Sequence, residues 1–370
     1  MQFSHVITMS FATIWGMGCF HAQRVQDMSL RFPTESNLCP NVQTSLEVAM
    51  TMQNGRIRVT RSDERRGVAW KHLNVELDEA AVTDGILHLQ GDPIDTLGRD
   101  IPLEVSLVDN PHVSSSTVLS ARYNCSFAVD FAGRDGEKGP NQPFELSKAG
   151  AHGTSGQNST INSTTGSYIG RGGNGGVGFD GRDGLSGTGG GPGGEISASI
   201  SRFEHPFTNQ TLLQVVVQGT TPSSPNLTTE RVLINPDGGS LTIDIQGGIG
   251  GTGGSGETGG NGGRGGLGDP KGLGGRGGNG GDGGIGGNGG TGGSATLVFD
   301  MNTRDYVDRI MVDNDGGAPG EGGTGGSGGA GGTPSGPSGT IGMKGANGIE
   351  GAPGPETVIE WRGTEEEELF

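Results

Sequence analysis

The chain has 370 residues, a formal net charge of −17 and 79 glycines, against only 5% aromatic residues. So much glycine and so few aromatics confine a conventional hydrophobic core to part of the length. The acidic balance excludes a nucleic-acid binder, which needs clustered Lys and Arg.

In chain order, residues 1–18 read as a signal segment, with an apolar stretch from Val6 to Trp15 and small residues at Gly16 and Gly18. That stretch matches a signal h-region and is too short to cross a bilayer. Gly16-Met17-Gly18-Cys19 resembles a bacterial lipobox, which implies lipidation of Cys19 after cleavage; plain signal cleavage is the alternative. An exported chain, at the cell surface or anchored to an outer membrane, is the expectation, with membrane contact only through that lipid. The other two cysteines, Cys39 and Cys125, are expected to pair as a disulfide in an oxidising compartment, two separate buried thiols being the alternative.

Residues 36–131 read as a small β-sandwich-like domain. Leu46, Val48 and Met50 alternate with polar neighbours, Gln53-Asn54-Gly55 makes a turn, and Ile57 and Val59 resume the alternation. Further strands are expected over 73–77, 86–89, 101–108 and 125–131. The remainder divides into a first glycine block (132–194), strands (195–246), a Gly-Gly-X block (247–293), strands (294–315), a mixed Gly-Gly-X and Gly-X-Y block (316–356) and an acidic tail (357–370) containing Glu365 to Glu368. The expected strands here include 195–203, 212–218, 231–234, 240–246, 295–301 and 307–312. No amphipathic helix is evident, so the fold class is an all-β N-terminal domain, then strands interleaved with a polyglycine-II bundle.

The glycine is read as structure because it holds phase. Between Gly247 and Gly293 the X residues fall at every third position, and 29 of the 32 intervening positions are glycine. A period of three fits the polyproline-II helix, which has no internal hydrogen bonds and must find partners on neighbouring segments. Two bare faces let backbones approach closely. Breaks are expected at Glu257-Thr258 and at Asp269-Pro270-Lys271. An X residue such as Asn279 is expected to point away from its neighbours and to tolerate alanine. From 336 to 354 the pattern becomes Gly-X-Y, which suits a bundle edge; a short trimeric collagen-like stalk is the alternative.

Runs such as Gly277 to Ile285 resemble the polyglycine-II bundles of the snow-flea antifreeze protein and of phage tail-fibre adhesin tips. The alternation of strand and glycine block is similar to glycine-rich, collagen-like surface lipoproteins of Gram-negative bacteria. The resemblance implies a bundle over 172–354 and leaves the ligand open.

No constellation for catalysis, cofactor or metal is read: none of these sites is assigned. Gly325-Gly326-Ser327-Gly328-Gly329 spells a nucleophile elbow and Gly248 to Gly253 a dinucleotide fingerprint, both without the strand and helix context those motifs need. Asp282 lacks the apolar residue that a calcium nonapeptide requires. His72, His88 and His112 do not form a ligand pattern, and Asn158, Asn162, Asn209 and Asn226 head glycosylation sequons. Ile359 and Trp361 are read as a cap on the bundle. The functional expectation is a non-catalytic structural or adhesive surface protein with an unidentified glycan or protein ligand. It would bind through exposed X residues and the polar loops 153–166 and 220–229. Ice binding is the alternative, opposed by Arg264, Arg276 and Asp282 in the central block; a hydrolase in the β domain ranks lower.

Overall fold

The computed structural model describes residues 24–32, 38–60, 68–77, 80–89, 92–140, 154–222 and 224–363. The segment 1–18, Cys19 and Glu365 to Glu368 lie outside the described residues. The chain forms two units, Met1–Tyr123 with Pro206–Thr208, and Asn124–His205 with Asn209–Phe370. Strands dominate, and helical structure among the described residues is confined to short 3-10 pieces, the longest being Met301–Arg309.

The first unit holds β1 (Val25–Arg31), β2 (Thr44–Ser45), β3 (Glu47–Met52), β4 (Ile57–Val59), β5 (Leu73–Leu77), β6 (Ala80–Thr83), β7 (Ile86–Leu89), β8 (Asp100–Leu107) and β9 (Asn110–Ser120). They make three small antiparallel sheets, ordered β1-β3-β4, β2-β7-β6 and β5-β8-β9. The alternation at Leu46, Val48 and Met50 marks residues that are buried with Val105 and Leu107 in the main core. Gly55 turns the β3–β4 hairpin at φ 77°, a conformation a β-branched residue resists. Ile57 faces solvent, because β4 is an edge strand with little beneath it. The long β9 lacks an apolar signature: its Ser114-Ser115-Ser116-Thr117 run is held by pairing to β8.

In the second unit, β10 (Ser126–Asp130), β16 (Ser240–Asp244) and β18 (Ile310–Asp313) form a parallel sheet. β10 therefore belongs here and not with the N-terminal strands: Phe127 aligns with Leu241 and Val129 with Ile243, and all four are buried. A short hairpin, β11 (Thr160–Ile161) and β12 (Tyr168–Ile169), precedes the larger sheet. That sheet contains β13 (Glu195–Glu204), β14 (Thr211–Thr221), β15 (Ser224–Ile234), β17 (Ser294–Asp300) and β19 (Val358–Arg362), in the order β15-β14-β13-β17-β19. β13, β17 and β19 run parallel, β14 pairs antiparallel with β13, and β15 pairs antiparallel with β14. Ile200, Val215, Leu241, Ile243 and Phe299 are fully buried. Residues 307–309, expected as strand, lie in the 3-10 piece that leads into β18.

The strands of the parallel sheet run out into glycine segments, and the glycine segments return into the larger sheet. Residues 131–140 follow β10, 247–268 follow β16 and 314–332 follow β18; residues 172–194, 272–293 and 336–354 lead back to β13, β17 and β19. Outgoing neighbours are parallel and bond every third residue: Gly253 N–H donates to Glu321 O, Gly256 to Thr324 O and Gly259 to Ser327 O, at 2.8–2.9 Å. Returning neighbours do the same, as in Gly280 N–H to Thr340 O and Gly283 N–H to Met343 O, both 2.8 Å. Between the two layers the bonds are antiparallel, for example Gly281 N–H to Glu257 O and Gly326 N–H to Gly281 O. In a Gly-Gly-X triplet one glycine thus bonds within its layer and the next across to the other layer.

One expectation changes. Glu257-Thr258 is not a break: Glu257 N–H donates to Arg182 O and its carbonyl accepts from Gly281, so the segment runs through from 247 to 268. The register is carried by backbone groups, which glutamate possesses as glycine does. The reversal comes only at Asp269-Pro270-Lys271, where the backbone bends over residues 268–270. The Gly-X-Y stretch 336–354 is the edge segment of the returning layer, and its glycine N–H groups donate to residues 314–332 of the same chain.

Candidate functional site

Because glycines line the contacts between segments, the X side chains project from the outer surface of each layer. Their rows follow from the register. On the outgoing face the same 69-residue offset joins Ser255 to Thr324, hydroxyl to hydroxyl at 3.1 Å, and Ala330 N–H to the Asn261 side chain at 2.9 Å. That offset sets Thr258 beside Ser327, so the middle of this face holds Ser255, Thr258 and Asn261 alongside Thr324, Ser327 and Ala330, with Thr252 beside Glu321. Glu321 and Arg264 stand at its margins.

The returning face is different. Offsets of 99 and 61 residues join Asp183 to Asp282 and Asp282 to Met343: each carboxylate Oδ1 accepts the backbone N–H of the next X residue at 2.7 Å. Asp180, Asn279 and Thr340 form the same chain one row away. The Asn279 side chain therefore reaches sideways to a neighbour, which corrects the expectation that it points away. The X residue's own N–H is the donor that glycine bonding leaves over, and a short Asn or Asp side chain is the right length to take it. The sequence held a signal for this, since Asn and Asp recur at X positions and only there within 272–293. In and beside these rows Ile285, Met343 and Ile349 are 54%, 71% and 72% exposed, and Val177, Leu273 and Ile341 of the same layer are exposed as well.

At the base of the returning face, where glycine segments become strands, lies an open cleft of about 590 Å³. Its walls carry Pro192, Pro222, Pro225 and Pro355, with Thr220, Thr221, Thr291, Ser294 and Glu195 supplying hydroxyls and one carboxylate. Part of the stretch 220–229 thus lines a recess, but it is not a loop. Gly219 pairs with Thr228 and Thr221 with Ser224 in the β14–β15 hairpin, since β-branched threonines suit paired strands and Pro225 is tolerated on an edge. Of the stretch 153–166, residue 153 lies outside the described residues. Gly156 N–H and Ser159 N–H are bonded to Arg264 O and Leu267 O, and only the turn after β11 remains a loop, ordered by Asn162 Oδ1.

Cys39 and Cys125 are disulfide-bonded. His72 lies in the 3-10 turn Trp70–His72, His88 on β7 and His112 on β9, and among the described residues no group of three or more His, Cys, Asp or Glu is placed to hold a metal. Ser327 of the elbow-like spelling is an exposed X residue within the outgoing layer, and the Gly248 to Gly253 spelling is part of the same layer. Asn158 uses its side-chain oxygen on Leu267 N–H. Trp361, on the edge strand β19, rests against Phe299 with ring centroids 5.5 Å apart and carries the Arg304 guanidinium 5.8 Å from its own centroid. Compared with family models, curated proteins and solved structures, the chain gives no match.

Proposed function

We propose that this chain is an exported, non-catalytic surface protein whose glycine segments form a polyglycine-II bundle that displays a binding face. The observation that carries the reading is the two-directional bonding of the glycine segments, within a layer and between layers, at every third residue. Ordering glycine costs on the order of 1–2 kcal/mol per residue, and a lattice of this kind offsets that cost where a single extended segment has no means to. The result is a stiff plate with little apolar interior, whose side chains are nearly all on its two outer faces. Recognition is best sought on the returning face, where the exposed Ile285, Met343 and Ile349 and the proline-lined cleft lie in one unit. The ligand class is a surface glycan or protein, and Cys19 is the proposed anchor. The test is capture of cell-surface material and glycans by the full-length chain, with Met343→Asp/Ile349→Asp as the paired control. Equal capture by the control and by the unaltered chain sinks the assignment of that face.

One observation favours ice binding as a second reading. Arg276 and Asp282 lie in the returning layer, so the outgoing face is freed of two of the three charges that oppose it. Between Glu321 and Arg264 what is left is a short strip of threonine, serine, alanine and Asn261 in register. An ice-recrystallisation assay separates the readings: inhibition by the intact chain, abolished by Thr258→Lys, supports ice, and its absence removes that reading.

A further inference from the structure

In-layer bonds among the outgoing segments all point one way: 131–140 donates to 247–268, and 247–268 donates to 314–332. On the last outgoing segment the matching donor row is Gly316, Pro319, Gly322, Gly325, Gly328 and Gly331. Pro319 has no N–H. Gly322 N–H is taken by Asn347 Oδ1 at 3.0 Å and Gly331 N–H lies 3.4 Å from Ser338 Oγ, both side chains folding over from the edge segment. Between them, Gly325 and Gly328 are half-buried and their N–H groups meet no acceptor among the described residues. Their neighbours Gly326 and Gly329 are bonded to Gly281 O and Gly278 O at 2.8 Å. Alongside stand Ile341, 76% exposed, and the exposed Lys344.

We propose that this edge docks a proline-rich partner segment in the polyproline-II conformation. The inference rests on the polyglycine-II reading of the glycine segments. Three residues at about 3.1 Å rise put the adjacent open donors Gly325 and Gly328 about 9 Å apart. A polyproline-II ligand repeats its carbonyls on one side at that same interval. A β-strand faces the donors every second residue, at about 6.6 Å, and a helix rises only about 4.5 Å over three residues, so neither matches. Proline-rich segments have no N–H to compete and leave every carbonyl free, and they arrive pre-ordered. Ile341 offers the apolar surface on which a pyrrolidine ring packs. The arrangement is the polyproline counterpart of strand addition at a sheet edge.

The test is amide hydrogen exchange, read by NMR on the full-length protein, with an oligoproline peptide in excess and a Gly-Ser peptide of equal length as the control. Without peptide, Gly325 and Gly328 are expected to exchange fast while Gly326 and Gly329 are protected. Oligoproline slows Gly325 and Gly328 by about tenfold or more, the Gly-Ser peptide does not, and Ile341→Asp removes the effect. Unchanged exchange at Gly325 and Gly328, with Gly326 and Gly329 still protected, overturns the docking proposal alone. Equal protection by the Gly-Ser peptide overturns the selection of conformation. Fast exchange at Gly326 and Gly329 overturns the bundle reading and this inference with it.

Discussion

The side-chain Oδ1 of Asn279 accepts hydrogen bonds from both the backbone N–H and the hydroxyl of Thr340, each at 3.0 Å. Asn279 also gives its own N–H to Asp180 Oδ1, so one X residue ties together three returning segments. The glycines supply the lattice, and the short polar X residues take up the donor that the lattice leaves over.

Asn279→Ala is accordingly not neutral. It removes the acceptor for Thr340 at an exposed site, and water replaces the bond in part, so a loss of about 1 kcal/mol is expected. Asn279→Asp keeps an acceptor of the same length and stays within about 0.5 kcal/mol. Chemical denaturation of the full-length chain compares the two. An alanine variant as stable as the parent removes the lateral role of the side chain.

The phase of the glycine was legible in the sequence because each segment repeats it locally, and the three-residue spacing of the hydrogen bonds is the spacing of Gly280, Gly283 and Gly286. The bonding of Asn279 was not legible, since its partner is 61 residues away and the offset between segments is set by where each one turns. The placement of β10 failed for the same reason. Its partner β16 follows after more than a hundred residues, whereas proximity in sequence favoured the N-terminal strands. β9 was missed because its alternation is serine against serine, with stability drawn from pairing and not from apolar burial. Of the site, the stretch 220–229 was found for the wrong reason: its polar residues read as loop, yet it forms a paired hairpin whose Pro222 and Pro225 wall a cleft.

Close approach of backbones gives a second prediction. A Cβ at Gly281 would collide with the carbonyl of Arg182, and one at Gly280 with the carbonyl of Gly326. Each neighbour is held by its own hydrogen bonds, so relief means stretching the row. Gly280→Ala and Gly281→Ala should each cost on the order of 1–3 kcal/mol. Thr252→Ala on the outgoing face should stay within about 0.5 kcal/mol. Melting curves that do not separate the glycine variants from Thr252→Ala contradict the packing.

The Cys39–Cys125 disulfide closes a long stretch of chain and restricts its unfolded state. Replacing both by serine should lower stability by about 2–4 kcal/mol. Intact mass after alkylation, with and without reductant, establishes the bond first; two alkylated thiols in exported protein without reductant would contradict it.

The last prediction concerns Tyr123, which is buried and whose hydroxyl lies 3.1 Å from Thr96 Oγ1. Burial disfavours the phenolate and pushes the phenol above its ordinary value of 10.0, while the hydrogen bond with Thr96 acts in the opposite sense and does not cancel it. The folded state thus holds this proton more tightly than the unfolded chain does. The stability this contributes is fully present below the unfolded value, about 10, and is lost as pH rises through the folded one. Stability should therefore fall as pH rises above about 10, with the unfolded chain releasing its proton first. Tyr123→Phe has no proton to release, so its denaturation midpoint, lower at neutral pH through loss of the Thr96 contact, should decline less steeply over that range. Ultraviolet titration of the native protein should show one tyrosine ionising late, and that late step should be missing from the variant. A parallel decline in both proteins, with no late phenolate, means that Tyr123 ionises as freely folded as unfolded.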